Sequence, residues 1–220
     1  AAPSWKSTTT RCAHGAYCGM DVGGTDIKLA VSLDGRLLAV KEYDWNPAAS
    51  PTAEGVTEPM LRLISLMRAC VIADSLPHDA ECLKLLAAAL RRDAADAEMD
   101  AAIIACESAA AELPLFSGIG LSFPDVVIND RILGGETPKT KGMRENTALD
   151  NEMEFAKLAS VSESMGRYCV DGVKVRIIND GPMAAFSAAA ELAQDGDTQL
   201  GESGVIAHSL GTDLGSGWIK

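Results

Sequence analysis

Two adjacent glycines sit between a carboxylate and a lysine in Asp21-Val22-Gly23-Gly24-Thr25-Asp26-Ile27-Lys28. Apolar runs at Tyr17 to Val22 and Ile27 to Leu33 flank its two glycines, and Asp34-Gly35 then turns the chain into Arg36 to Tyr43. Alternating apolar runs broken by such dipeptides predict strand, tight turn, strand, turn, strand: an antiparallel meander. A carboxylate ends the first strand and glycines open the turn. Glycine lets backbone N–H groups approach anionic oxygens, Thr25 adds a hydroxyl donor, and Asp21 can hold a metal ion through water. A plain glycine hairpin explains the same residues without any ligand.

Beyond the meander, Asn46 to Glu58 is rich in Pro, Ala, Ser and Gly and reads as a loop. Apolar spacing then predicts helices over Pro59 to Ala73, Pro77 to Leu90 and Ala94 to Leu113, with the charged interval Arg91 to Asp100 as a solvated turn and helix start. Ser117 to Phe123 and Val126 to Leu133, separated by Pro124-Asp125, predict a further pair of strands. A helical stripe runs from Asp150 to Tyr168. Val173 to Ile178 is β-branched enough for a buried strand, and Pro182 to Leu192 reads as a helix with Pro in its first turn. A strand starts at Gly204 to His208. Strands and helices mixed in this order predict an α/β domain. Residues 1–15 read as a loose leader, and Gly217 to Lys220 read as a strand in progress, so the chain is expected to be part of a longer protein.

Hydrophobic residues make up 47% of the 220 residues and charged residues 23%, which is ordinary globular usage rather than disorder. The formal charge of −12 argues against a nucleic-acid surface, because phosphate backbones need clustered Lys and Arg. No stretch approaches the ~20 apolar residues of a membrane span, and no signal pattern opens the chain, so a soluble protein with no membrane partner is expected. The six cysteines form no CxxC pair and read as reduced, mostly buried cytoplasmic thiols. Cys12, His14 and Cys18 lie close together, but at irregular spacing for a zinc site.

Two more segments carry chemistry. Gly211-Thr212-Asp213-Leu214-Gly215-Ser216-Gly217 follows one apolar strand and precedes another, repeating the arrangement around Gly23. Two such loops can face one nucleotide from opposite sides, whereas a P-loop GxxxxGK[ST] is missing and Gly118-Ile119-Gly120 lacks the third glycine of a dinucleotide fingerprint. Between the loops, Asn179-Asp180 ends an apolar strand just before a helix, the usual place for ligands in α/β sheets. A carboxylate there can accept a hydroxyl proton while Asn179 bonds neighbouring hydroxyls. The bland alternative is that Asp180 caps the helix beginning at Pro182.

In order and approximate spacing, Asp21 to Lys28, Ser117 to Asp125, Asn179-Asp180 and Gly211 to Gly217 resemble the ROK (repressor, open reading frame, kinase) sugar kinases. Ser122-Phe123-Pro124 and Lys139-Thr140-Lys141-Gly142 also resemble segments of hexokinases. The resemblance covers Tyr17 to Lys220 apart from Thr57 to Leu113, and implies the actin/hexokinase-like (ribonuclease H-like) α/β fold. It implies transfer of the γ-phosphate of ATP to a hexose hydroxyl. Ser122, Thr140, Lys141, Asn179 and Asp180 would bind the sugar, with Asp180 as catalytic base and Lys141 adding charge near the transferring phosphoryl. Asp21, Gly23, Gly24, Thr25, Lys28, Gly211 and Thr212 would hold the ATP phosphates, and Asp21 would hold Mg²⁺ through water. Two departures stand out. Asn179-Asp180-Gly181-Pro182 replaces the usual Asn-Asp-Ala-Asn, and Asp213 puts a carboxylate where the second loop usually has glycine.

The expected organisation is a leader at 1–15 and a sugar-binding lobe at 16–203 with a helical insertion at about 57–113. A nucleotide-binding lobe would open at 204–220. The lobe is expected to hold a five-stranded mixed sheet built from the meander and the strands near 117 and 173. On its own this stretch is expected to be inactive. The rivals are a non-catalytic ROK-type regulator that senses a sugar, an ATPase of the same superfamily that phosphorylates no sugar, and a degenerate scaffold in which Asp180 and Thr140 are only caps. Apolar surface on the helices at 59–113 could form a homo-oligomer contact, although core packing is the commoner use.

Overall fold

A computed structural model describes residues 14–134, 137–194, 203–210 and 214–219. The meander forms as the sequence predicts: β1 (Ala16–Val22), β2 (Asp26–Leu33) and β3 (Arg36–Asp44) pair antiparallel. Asp34 and Gly35 both take positive φ at the second turn, the conformation an Asp-Gly hairpin requires. Strands β4 (Gly118–Phe123) and β7 (Arg176–Asn179) then add in parallel to β1, giving one five-stranded mixed sheet in the order β3-β2-β1-β4-β7.

One face of this sheet is apolar. Cys18, Met20 and Val22 of β1, Ile27, Leu29 and Val31 of β2, and Ile119 and Leu121 of β4 are all buried there. Helix α1 (Glu54–Asp74) packs against β1, β2 and β3, while α2 (Glu81–Ala89) and α3 (Asp96–Ala109) lie on its outer side. With protein on both sides, α1 is buried almost all round from Leu63 to Ile72, as a helix without a solvent face must be apolar. Arg62 ties α1 to α3 through Asp96 and Asp100 at 2.8 and 2.9 Å.

Helix α1 begins at Glu54, ahead of the proline the sequence points to. Buried Glu154 explains the difference: its Oε2 accepts the Ala53 N–H at 2.8 Å and anchors the chain before Pro59. The run Val126 to Leu133 folds back on itself as the short hairpin β5 (Val127–Ile128) and β6 (Arg131–Ile132), because Asn129 and Asp130 both adopt positive φ. After a 3-10 turn at Pro138–Thr140 come α4 (Lys141–Glu145), α5 (Asn151–Ala159) and α6 (Val161–Gly166); the single helix expected over Asp150 to Tyr168 is broken at Ser160. Asp150 caps α5 by accepting the Glu152 and Met153 amides.

Helix α7 (Asp180–Gln194) follows β7 directly, with Pro182 in its first turn as expected. It packs against the antiparallel hairpin of β8 (Val205–Leu210) and β9 (Leu214–Ile219). The approach is backbone to backbone. A Cβ on Gly181 would lie 2.4 Å from the Ser216 carbonyl oxygen, and one on Gly217 would lie 2.1 Å from that of Gly181. The glycine at 181 is therefore a packing requirement of this chain. Among the described residues no helix is long and apolar enough to cross a membrane.

Candidate functional site

Strands β1, β4 and β7 run parallel, so their carboxyl ends meet at one edge of the sheet, where α/β proteins bind ligands. These ends carry Asp21, Ser122 and Asn179. Register refines the picture: Lys28, Asp21 and Ser122 are direct cross-strand neighbours, and form one row on the face opposite α1. The adjacent row is Ala30, Gly19 and Gly120. A Cβ on Gly19 or Gly120 would meet nothing within 4 Å, so these residues make a floor without side chains.

A cleft of about 760 Å³ opens over this floor. Asp21, Gly23, Gly24, Thr25, Asp26 and Lys28 line one end of it. Ser122, Pro124, Lys139 and Asp180 line the rest, together with Met183, Ala184 and Ser187 of α7. Positions 180, 183, 184 and 187 recur at helical spacing, so α7 turns one stripe to the cleft while Ala185 and Ala189 are buried.

Each polar group is held differently. Ser122 is 2% exposed and its Oγ has no hydrogen-bond partner among the described residues, a cost of ~1–3 kcal/mol that a ligand hydroxyl would relieve. Asn179 donates from Nδ2 to the Asp125 carbonyl at 2.8 Å, and its Oδ1 accepts the Gly181 N–H at 3.0 Å. That same N–H also reaches Asp180 Oδ1 at 2.8 Å. The helix starts at Asp180 rather than at Pro182, so Asp180 is its first residue and lines the cleft, while the cap position falls to Asn179, whose Oδ1 takes the Gly181 amide. Asp125 is buried beside Pro124, with Oδ1 on the Val126 N–H and Oδ2 without a hydrogen-bond partner among the described residues; burial pushes its carboxyl above the usual carboxylate range.

The Gly23-Gly24 turn is braced from outside. Gly23 donates its N–H to the Asp26 carbonyl at 2.8 Å, its own carbonyl accepts Trp45 Nε1 at 3.0 Å, and the Trp45 N–H bonds the Thr25 carbonyl. Among the described residues no hydrogen bond uses the Gly24 or Thr25 N–H.

The predicted site residues divide. Asp21, Gly23, Gly24, Thr25, Lys28, Ser122 and Asp180 share the cleft, and Asn179 is hydrogen-bonded beside it. Thr140 and Lys141 are not among its lining residues. Thr140 is 1% exposed and its hydroxyl donates to the Thr137 carbonyl at 3.1 Å, while the Lys141 side chain is 60% exposed and 3.9 Å from Glu145. Lys139 supplies the cation from that segment instead. Gly211, Thr212 and Asp213 lie outside the described residues, as does Cys12. Cys18 faces the core, and among the described residues no group of three or more His, Cys, Asp or Glu is arranged to hold a metal ion. Sequence reasoning missed the floor glycines, Lys139, the α7 stripe and the Trp45 brace; glycines inside strands were the available signal.

No family model matches the chain, and no curated protein matches its sequence significantly. The residues and their geometry therefore carry the functional reading.

Proposed function

We propose that this chain is the sugar-binding and catalytic lobe of an ATP-dependent sugar kinase with the actin/hexokinase-like, ribonuclease H-like fold. The observation that carries the reading is the convergence of Asp21, Ser122 and Asn179-Asp180 at the carboxyl ends of three parallel strands around one cleft. The sheet order, with an antiparallel meander followed by two strands parallel to β1, supports the fold.

In this reading a hexose lies over the Gly19 and Gly120 floor. Ser122 Oγ and Asn179 bond its hydroxyls, and Asp180 accepts the proton of the attacking hydroxyl. The phosphates lie toward the Gly23-Gly24 turn, where the Gly24 and Thr25 amides fit an anion, and Lys139, which lines the same cleft, adds positive charge. A single carboxylate, Asp21, fits a Mg²⁺ ion held through water and by the phosphates themselves. Mg²⁺ would neutralise charge on the transferring group. Among the described residues, five unbridged, buried thiols support a reducing, cytoplasmic setting.

Calorimetric titration of the full-length protein with a panel of hexoses and amino sugars tests the binding half of this reading. One sugar should bind, and Ser122→Ala and Asn179→Ala should each weaken it by about tenfold, the worth of a hydrogen bond to a buried partner. Absence of binding by every sugar, or binding by both variants as tight as that of wild type, would refute it.

A further inference from the structure

Lys28 is the cation nearest the Gly23-Gly24 turn in sequence, yet its charge is already committed. Asp26 and Lys28 are two apart on β2 and so share a face. Their Oδ2 and Nζ are 2.9 Å apart, with side-chain exposures of 20% and 56%. Register brings two further carboxylates alongside, Asp21 of β1 and Glu42 of β3, each directly opposite Lys28. The Asp26 bond comes first among the causes that hold the Lys28 ammonium above its ordinary range.

The position of the Asp26 carboxylate matters as much as its charge. Its Oδ1 lies 2.8 Å from where a Gly23 Cβ would stand, so the side chain folds back over the turn in space that only glycine leaves open. Both Asp26 and Lys28 line the cleft. The turn thus presents amide donors under a carboxylate of its own, with its lysine neutralised.

We infer that Asp26 is a specificity-determining residue that makes this turn accept a phosphate ligand only together with a divalent cation. A metal-free polyphosphate meets the carboxylates of Asp21 and Asp26 at the turn, where Lys28 is already paired with Asp26, and among the described lining residues Lys139 is left as one cation against two carboxylates. A cation carried by the phosphates reverses the sign of that encounter, and lets the phosphate either take Lys28 from Asp26 or sit beside the pair. The inference rests on the reading of the turn as a phosphate site and adds the residue that sets its metal dependence.

Calorimetry on the full-length protein tests it, with ATP in excess Mg²⁺ and ATP in excess chelator, for wild type, Asp26→Asn and Asp26→Ser. Wild type should bind ATP with Mg²⁺ far more tightly than without. Both variants should gain about tenfold in affinity for metal-free ATP, the order expected when one carboxylate is removed beside a polyanion in partly screened water. Their preference for the Mg²⁺ complex should shrink accordingly. An unchanged preference in both variants, with wild type binding ATP, overturns the inference and leaves the phosphate reading intact. Failure of all three proteins to bind ATP under either condition overturns both.

Discussion

Replacing Gly217 with alanine should separate α7 from β9. The new methyl would stand 2.1 Å from the Gly181 carbonyl oxygen, 2.5 Å from its carbonyl carbon and 2.7 Å from Pro182 Cα. Ordinary contact begins at 3.4 Å, and all three neighbours are backbone, so no side chain can rotate away. The start of α7 or the strand must shift by more than an ångström, and forced overpacking of this kind costs about 1–3 kcal/mol. Gly120→Ala is the matched control. Its methyl meets nothing within 4 Å, and removing a glycine from a strand interior should leave stability unchanged or raise it by about 0.5–1 kcal/mol. Because Gly120 lines the cleft, the same methyl should instead weaken ligand binding. Urea unfolding of both variants, followed by far-ultraviolet circular dichroism, reads the difference. A Gly217→Ala midpoint equal to wild type, or a Gly120→Ala loss as large as that of Gly217→Ala, would refute the packing argument.

Three further outcomes follow from the buried polar groups and thiols. Glu154→Ala should cost about 1–3 kcal/mol, since it removes a charged acceptor from the Ala53 amide. The Ala53 N–H holds the Glu154 carboxyl below its usual range, so this contribution is present above pH 4.5 and lost as pH falls through the lowered value; the gap between variant and wild type should close in acid. Asp125 has the opposite sign. Its carboxyl is raised by burial, so wild-type stability falls as pH rises from 3.8 through the raised value, and Asp125→Asn should remove that fall in a pH series of urea midpoints. Finally, burial raises the thiols of Cys70 and Cys106 to about 12, and Cys18 higher still, so iodoacetamide at pH 8 should label them only on unfolding, as mass spectrometry would show.

The meander and the sheet were legible because their signals are local: alternating burial along β1 and β2, the Asp34-Gly35 turn, and β-branched residues before Asn179. The hairpin at Asn129-Asp130 was hidden, since Val126 to Leu133 looks like one apolar run until two residues adopt positive φ. The helix start at Glu54 depends on Glu154, about a hundred residues away, and no local pattern announces such a partner. The site was legible in its carboxylates and its turn, and less so in its cation. Lys139 and Lys141 are two residues apart, but the first sits in a 3-10 turn and the second opens a helix, so they point to different surroundings. Gly181 looked like a departure from a sugar-binding motif; its reason is the backbone of β9, which only the tertiary structure supplies.

In the proposed kinase reading, Asp180 activates a sugar hydroxyl for attack on a nucleotide phosphate. Its most direct test is ³¹P NMR of the full-length protein with ATP, Mg²⁺ and the hexose it binds, beside the Asp180→Asn variant. Wild type should show a growing sugar-phosphate resonance matched by ADP, with growth at least a hundredfold slower in the variant, the usual worth of a positioned general base. Transfer undiminished in the variant, or a sugar that binds without any transfer, would contradict it.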